Sequence, residues 1–224
     1  MKVLTPCELD KNSYASLIFN AMQQLSENWH LVTDSESDDD KSVLERNYVI
    51  SLVFQMGKNA KGYLDYETNV FPSGENNKRI CRSDDEIKYT YNELYKKEFP
   101  HRFVVIPDLV VHTSHNSNAS RSNGQYVAVE VKTAKKIEKR AFLKDFFKLN
   151  NYLCDLNYKN AIYLIVNIPL TRIENLIKQY FDNNYFYKKD KLENLLFFTQ
   201  EGRTNFPTIY KLDENYLKLI KKKQ

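Results

Sequence analysis

Three charged residues lie inside two apolar segments that are typical of β-strands. Asp108 stands in the run Val105-Ile106-Pro107-Asp108-Leu109-Val110, and Glu130 and Lys132 stand in the run Val127-Ala128-Val129-Glu130-Val131-Lys132. An unpaired carboxylate is costly to bury, so these charges need partners. Side chains alternate along a strand, which puts Glu130 and Lys132 on one face. If residues 113–124 close a symmetric antiparallel hairpin, Asp108 lies opposite Glu130, and two carboxylates and one ammonium meet.

Two neighbouring carboxylates repel each other unless a positive charge lies between them. Mg²⁺ is typically held by one or two carboxylates together with waters and phosphate oxygens, and we expect Mn²⁺ to substitute for it. Such an ion activates water and neutralises the charge that develops on a phosphodiester. Lys132 could then orient the attacking water or stabilise the pentavalent phosphate. This combination predicts cleavage of nucleic acid.

Pro107-Asp108 followed by Glu130-Val131-Lys132 resembles the motif of the PD-(D/E)xK nuclease superfamily, which has the restriction-endonuclease-like fold. The resemblance implies that Asp108 and Glu130 bind the metal and that Lys132 assists catalysis. Many members also have a glutamate on the helix before the first core strand. Here that residue would be Glu45, as a third carboxylate at the metal.

Alternative interpretations remain for each of these residues. Asp108, Glu130 and Lys132 could form a surface salt bridge between neighbouring strands. Glu45 shares a helix face with apolar residues, which favours an inward position, but Ser42-x-x-Glu45 is also a capping box. Further along, Asp145 and Lys148 have the i, i+3 spacing of an ion pair on a helix surface, and we favour that interpretation over an accessory role.

The elements that position these residues follow from apolar periodicity and from Pro and Gly breaks. Helices are predicted over 9–30, 42–56, 84–99, 138–154, 171–181 and 213–222, and strands over 62–71, 102–112, 125–133, 161–168 and 195–199. Residues 75–83 and 113–124 are predicted loops. The fold class is therefore α/β, with a mixed central sheet flanked by helices.

The middle of this order, helix–three strands–helix–strand over about 42–168, is similar to the core of that nuclease family. An additional helix is inserted before the second strand. We expect one nuclease-like domain spanning 1–224, with the N-terminal helix 9–30 and the C-terminal residues 169–224 as elaborations.

Charge is distributed unevenly along the chain. Residues 1–130 hold 14 Lys and Arg against 19 Asp and Glu, whereas residues 131–224 hold 19 against 10. A basic second half suits a polyanion, because clustered cations release counterions from a phosphate backbone. Four cations just past the motif are candidates for binding flanking phosphates, although a solvated helix start explains them equally well. These are Lys135, Lys136, Lys139 and Arg140.

Composition excludes several classes of protein. The chain has 224 residues, 42% apolar and 28% charged, which is an ordinary globular balance. No apolar run approaches the roughly 20 residues of a membrane span, and the N-terminus has no secretory signal, so we expect a cytoplasmic protein without a membrane partner. Three widely separated cysteines support neither a disulfide framework nor a zinc site.

These observations together predict a Mg²⁺-dependent nuclease acting on DNA, with restriction, phage defence or repair as roles suggested by family analogy alone. Two alternatives stay open. The fold could be a catalytically idle module that binds nucleic acid or a protein partner, or the enzyme could act on RNA. The sequence also leaves open whether the protein forms a homodimer.

Overall fold

The computed structural model describes residues 1–10, 13–25, 38–59, 70–72, 78–80, 84–101, 103–112, 125–133, 137–201, 206–212 and 218. Five α-helices are present in these ranges: α1 (Tyr14–Leu25), α2 (Asp38–Asn59), α3 (Asp85–Tyr95), α4 (Lys139–Cys154) and α5 (Leu170–Asp182). The strands are β1 (Lys2–Leu4), β2 (Val70–Pro72), β3 (Lys78–Ile80), β4 (Phe103–Val105), β5 (Leu109–His112), β6 (Gln125–Lys132), β7 (Asn160–Val166), β8 (Leu195–Gln200) and β9 (Thr208–Lys211).

Seven strands form one open mixed sheet in the order β1-β9-β8-β7-β6-β5-β2, and β3 pairs with β4 in a separate two-stranded sheet. The two central pairs, β6–β7 and β7–β8, are parallel. The remaining pairs are antiparallel. The predicted α/β class with a mixed sheet flanked by helices is therefore confirmed.

The central strands are buried on both faces, which is why β7 reads as a continuous apolar run. On one face, Val129 and Leu164 pack in a core that includes residues of α1 and α2. On the other face, Ala128 and Tyr163 pack with residues of α3, α4 and α5. A residue at the end of β6 can therefore reach side chains from both helical layers.

The predicted strand 102–112 is wrong as a single element. It is two strands, β4 and β5, which belong to different sheets. The interruption falls at 106–108, where Pro107 lacks the N–H that a continuous ladder needs. The break matters for the site because Asp108 lies in it, directly before β5 begins.

Other boundaries also differ from the expectations. The predicted loop 75–83 contains β3, and β1 and β9 were not predicted at all. Of the predicted strand 62–71 the structure describes only residues 70 and 71, which belong to β2. The loop 113–124 and nearly all of the predicted helix 213–222 lie outside the described residues. No helix in the described ranges is both long and apolar enough to cross a membrane.

Candidate active site

Asp108 and Glu130 are brought together by a β-bulge. At the loop end of the hairpin His112 pairs with Gln125, and this register, continued without interruption, would place Asp108 opposite Val129. The register instead shifts by one residue between Val111 and His112, so that Leu109 pairs with Val129. Asp108 directly precedes this ladder, and the register continued by one residue beyond Leu109 would place Asp108 opposite Glu130. A one-residue shift in register moves a side chain to the other face of the sheet. The bulge therefore aligns the two carboxylates, which a symmetric hairpin without the bulge would not do.

Asp108 is fixed by the backbone of the neighbouring strand. Its N–H donates to the carbonyl of Val129 at 3.1 Å, and its Oδ2 accepts from the N–H of Val131 at 2.7 Å. Oδ1 accepts no hydrogen bond from any described residue. Burial raises the pKa of the Asp108 carboxyl, although the Val131 hydrogen bond opposes that shift.

Glu130 is the most deeply buried charged residue of the site, with only 1% of its surface exposed. Lys148 donates to its Oε2 at 2.6 Å, and the hydroxyl of Tyr152 donates to its Oε1 at 2.6 Å. Both carboxylate oxygens are therefore engaged by α4. Burial raises the pKa of Glu130 well above its usual range, and the nearby Lys148 ammonium offsets only part of that rise.

Lys132 reaches across the end of β6 to carboxylates of both layers. Its Nζ lies 3.4 Å from Oε2 of Glu45 on α2 and 3.3 Å from Oδ2 of Asp145 on α4. Burial lowers the pKa of the Lys132 ammonium, but the surrounding carboxylates, led by Asp145 and Glu45, outweigh burial and raise it overall. Lys132 therefore stays protonated, and a charge-stabilising role suits it better than that of a base.

Asp145 and Lys148 form the predicted i, i+3 ion pair, with Nζ 2.7 Å from Oδ1, but its placement on the helix surface is wrong. The Asp145 side chain is 9% exposed and the Lys148 side chain 18% exposed. Both belong to the site, because they contact Lys132 and Glu130 respectively. The reason is that their side of α4 faces β6 and not solvent.

Tyr152 was missed by sequence reasoning. It lies four residues after Lys148, on the same helix face, and its hydroxyl contacts the same carboxylate. Asp145, Lys148 and Tyr152 follow an i, i+3, i+7 spacing that runs beside the apolar stripe of α4. This polar stripe beside an apolar one is the sequence pattern that could have placed Tyr152 at the site.

Glu45 points toward the site from α2, as the inward interpretation requires. The capping-box explanation is wrong, because α2 begins at Asp38 and Ser42 therefore lies inside the helix. Burial raises the pKa of the Glu45 carboxyl, and Lys132 opposes that shift. Its Oε1 has no hydrogen-bond partner in the described part of the chain.

The candidate phosphate-binding residues are only partly described. Lys135 and Lys136 lie outside the described residues. Lys139 is exposed at the first position of α4. The Nε of Arg140 donates to the carbonyl of Leu94 at 2.6 Å, which ties this arginine to the C-terminal end of α3. The interpretation of these cations as the solvated start of a helix therefore fits Lys139 well and fits Arg140 only in part.

The charges of the six ionisable groups at the site do not sum to zero. Four carboxylates, from Glu45, Asp108, Glu130 and Asp145, surround the ammonium groups of two lysines. With all six ionised, the group carries two excess negative charges. Burial, together with repulsion between the carboxylates, raises the pKa of Glu45, Asp108 and Glu130. An excess of this size matches one divalent cation.

The donor chemistry fits Mg²⁺, but the ligands are not already assembled. Within the described ranges no three His, Cys, Asp or Glu side chains converge on a point where a metal ion could be held. Lys132 and Lys148 lie between the carboxylates instead. Asp108 and Glu45 each have one oxygen without a hydrogen-bond partner among the described residues, and these oxygens are hard ligands of the kind Mg²⁺ prefers. Glu130 could join them only after releasing Lys148.

Comparison with known proteins gives no assignment for this chain. No family model matches the sequence, and neither a curated protein nor a solved structure matches it.

Proposed function

We propose that this protein is a divalent-metal-dependent nuclease that hydrolyses DNA phosphodiester bonds, of the PD-(D/E)xK type. The observation that carries this proposal is the meeting of Asp108, Glu130 and Lys132 at one end of the sheet, with Glu45 reaching the same place from α2. Residues from three separate chain segments contribute to this group. A surface salt bridge would require neither the burial nor the carboxylate excess.

The order of elements supports a restriction-endonuclease-like core. In chain order α2, β2, β5, β6, α4 and β7 give helix, three strands, helix and strand. The strands are neighbours in the sheet, with β2–β5–β6 antiparallel and β6–β7 parallel. The segment β3-α3-β4 is the insertion before the second core strand. This agreement concerns element order and pairing, and it leaves the family assignment a proposal.

The roles of the residues follow from their contacts. Mg²⁺ would be held by Asp108 and Glu45, joined by Glu130, and when bound it would activate water and neutralise charge on the phosphate. Lys132, kept protonated by its carboxylate neighbours, would stabilise the negative charge that develops on the phosphoryl oxygens. Asp145 would hold Lys132 in place. Tyr152 and Lys148 would control how readily Glu130 turns from α4 toward the metal.

A second function is favoured by one specific observation. Both oxygens of Glu130 are occupied by Lys148 and Tyr152. A buried network of this kind can be purely structural. The alternative is therefore an idle module of the same fold that binds nucleic acid or a protein partner without cleaving it.

The test is an incubation of the full chain with plasmid DNA, linear duplex DNA, single-stranded DNA and RNA, each with Mg²⁺, Mn²⁺ or EDTA. We expect cleavage of a DNA substrate with either metal and none in EDTA. Asp108→Asn should abolish it, whereas Asp182→Asn, an exposed aspartate on α5, should not. Cleavage of RNA alone would redirect the substrate assignment. Absence of cleavage under every condition would favour the idle module.

A further inference from the structure

A cleft of about 540 Å³ opens beside the proposed active site, between β4 and the first turns of α4. Lys132, Asp145 and Lys148 line it on the side of the site. Its volume lies within the roughly 300–1,000 Å³ that is typical of small-molecule and cofactor sites. The cleft is therefore large enough for one building block of a substrate held next to the reacting bond.

One wall of the cleft is cationic. The Nε of Arg140 is held by the carbonyl of Leu94, and its two terminal amino groups have no hydrogen bond to any described residue. The Nζ of Lys144 lies 4.7 Å from the ring centroid of Tyr95. Neither cation forms an ion pair with a carboxylate within the described part of the chain. Two cations on one wall that have no carboxylate partner among the described residues are suited to binding an anionic group.

The ring beneath Lys144 is held rigidly. Tyr95 stacks on Tyr91 with centroids 4.4 Å apart, and Phe103 packs edge-on against it at 5.4 Å. The cationic wall is therefore a fixed surface that an anion would find already formed, which lowers the entropic cost of binding.

Another part of the lining is apolar although it faces solvent. Val104 is 47% exposed and Ile106 is 48% exposed, and both line the cleft. Val104 lies in β4 and Ile106 directly follows the strand, and both are exposed whereas Val105 between them is buried, so they project to the same side. Glu138 at the rim is the N-cap of α4, and its side chain makes no capping hydrogen bond. Its carboxylate can accept a hydrogen bond from an amino group.

We infer that this cleft holds one unpaired nucleotide of a single-stranded segment of the substrate, its base against Val104 and Ile106 and its phosphate at Arg140 and Lys144. A nucleotide has the same two parts as the lining, a flat apolar face and an anionic group. A base within a duplex has both faces and its pairing edge covered, so only an unpaired base can use the apolar wall. This inference rests on the proposed function, because it assigns a substrate form to that site.

The test measures binding in EDTA, so that cleavage is not needed for the readout. A fluorescently labelled eight-nucleotide single strand should bind the full chain at least about tenfold more tightly than the duplex of the same sequence. Moving a single abasic site along the strand should weaken binding about tenfold at one position. Val104→Ser with Ile106→Ser should cause the same loss, and the abasic substitution should then have no further effect.

The cationic wall is tested by the dependence of affinity on salt. Arg140→Gln with Lys144→Gln should reduce the slope of log affinity against log salt by up to ~1.4, since each contact to a single strand contributes ~0.7. The matched control is Arg172→Gln with Lys159→Gln, which also removes one Arg and one Lys from exposed positions, and Lys159 likewise lies over a tyrosine ring. The control should leave the slope unchanged.

The outcomes separate this inference from the proposed function. Equal affinity for duplex and single strand, or an abasic series with no sensitive position, would overturn the nucleotide cleft. A slope that falls as much in the control would overturn the cationic wall. If the single strand binds as expected but no metal supports cleavage, the nuclease proposal fails and the cleft stands. If duplex DNA is cleaved but no single strand binds, the nucleotide cleft fails and the nuclease proposal stands.

Discussion

The ammonium of Lys148 lies 2.6 Å from Oε2 of Glu130, in the position relative to that carboxylate that a bound cation would take. The same ammonium lies 2.7 Å from Oδ1 of Asp145. In the absence of metal, Lys148 therefore provides much of the positive charge that makes burial of Glu130 tolerable. Mg²⁺ and Lys148 would compete for the same oxygen, and metal affinity would depend on how easily the lysine moves.

Lys148→Met should destabilise the metal-free protein, because Glu130 would remain buried without its cation. Breaking a buried pair by removing one partner costs about 3 kcal/mol or more. Saturating Mg²⁺ should restore more stability to the variant than it adds to the wild type. Thermal unfolding with EDTA and with Mg²⁺ measures both effects.

The control for this variant is Lys178→Met, which removes a partly exposed lysine from α5. It should respond to Mg²⁺ as the wild type does. An equal Mg²⁺-dependent gain in wild type and Lys148→Met would show that the lysine and the metal do not share an oxygen.

Asp108→Asn should raise the stability of the metal-free protein at neutral pH. Burial raises the pKa of Asp108 above its ordinary value of 3.8, so the folded state holds a proton that the unfolded state has lost. Stability therefore falls as pH rises from about 3.8 through the raised pKa. The asparagine variant lacks this loss, so its advantage in melting temperature should be absent near pH 3.5 and present at pH 7.

The measurement is a pair of melting curves in EDTA at several pH values, with Asp182→Asn as an exposed control on α5. A constant difference between wild type and Asp108→Asn across the whole range would contradict the raised pKa.

Metal binding should reverse that order of stability. Calorimetry should show Mg²⁺ or Mn²⁺ binding to the wild type and a large loss of binding in Asp108→Asn, because an amide lacks the charge of the carboxylate ligand. At a metal concentration of 100 times Kd, the wild type should gain about 2.7 kcal/mol that the variant does not gain. Equal affinity in both proteins would remove Asp108 from the metal site.

Nucleic-acid affinity should depend steeply on salt, because positive charge is concentrated after residue 130. Changing Lys135, Lys136 and Lys139 together to Gln should flatten the slope for duplex DNA by up to ~3. Binding isotherms at several salt concentrations measure this. An unchanged slope would move the phosphate contacts elsewhere, with Lys188, Lys189 and Lys191 as the next group to test.

The long, strongly periodic elements were predictable from sequence, and the short ones were not. The expectations for α4 and β6 were right within a residue or two, because each carries enough apolar positions to define its period. Strands β1 and β9 have only three and four residues, and each depends on partners distant in the chain. No local pattern reveals such pairing.

The sequence predicted that Asp108 and Glu130 lie near each other, but it did not predict the bulge that aligns them. Alternation and a hairpin place both carboxylates near each other, yet the alignment depends on a bulge that no residue type signalled.

The polar face of α4 was misjudged for a different reason. Spacing alone cannot tell a solvated ion pair from a buried one, and the burial of Asp145 and Lys148 depends on which side of α4 faces the sheet.

Catalysis itself is tested at Lys132. Because its ammonium lies between Glu45 and Asp145 and remains protonated, it is already charged and positioned beside the proposed metal and phosphate. Lys132→Ala should reduce cleavage about a hundredfold or more, the scale observed when one preorganised charge-stabilising group is removed. Single-turnover cleavage with Mg²⁺ measures this loss, and calorimetry should show that most metal binding is retained.

Lys132→Arg is the conservative partner of this experiment. A planar guanidinium cannot occupy the space of a compact ammonium between two carboxylates, so the arginine variant should recover only part of the rate. Thermal unfolding should show that both variants stay folded, since each retains the Glu130–Lys148 pair. If Lys132→Ala cleaves as fast as the wild type, Lys132 serves only to neutralise Glu45 and Asp145, and the interpretation of Glu130-Val131-Lys132 as a catalytic motif is wrong.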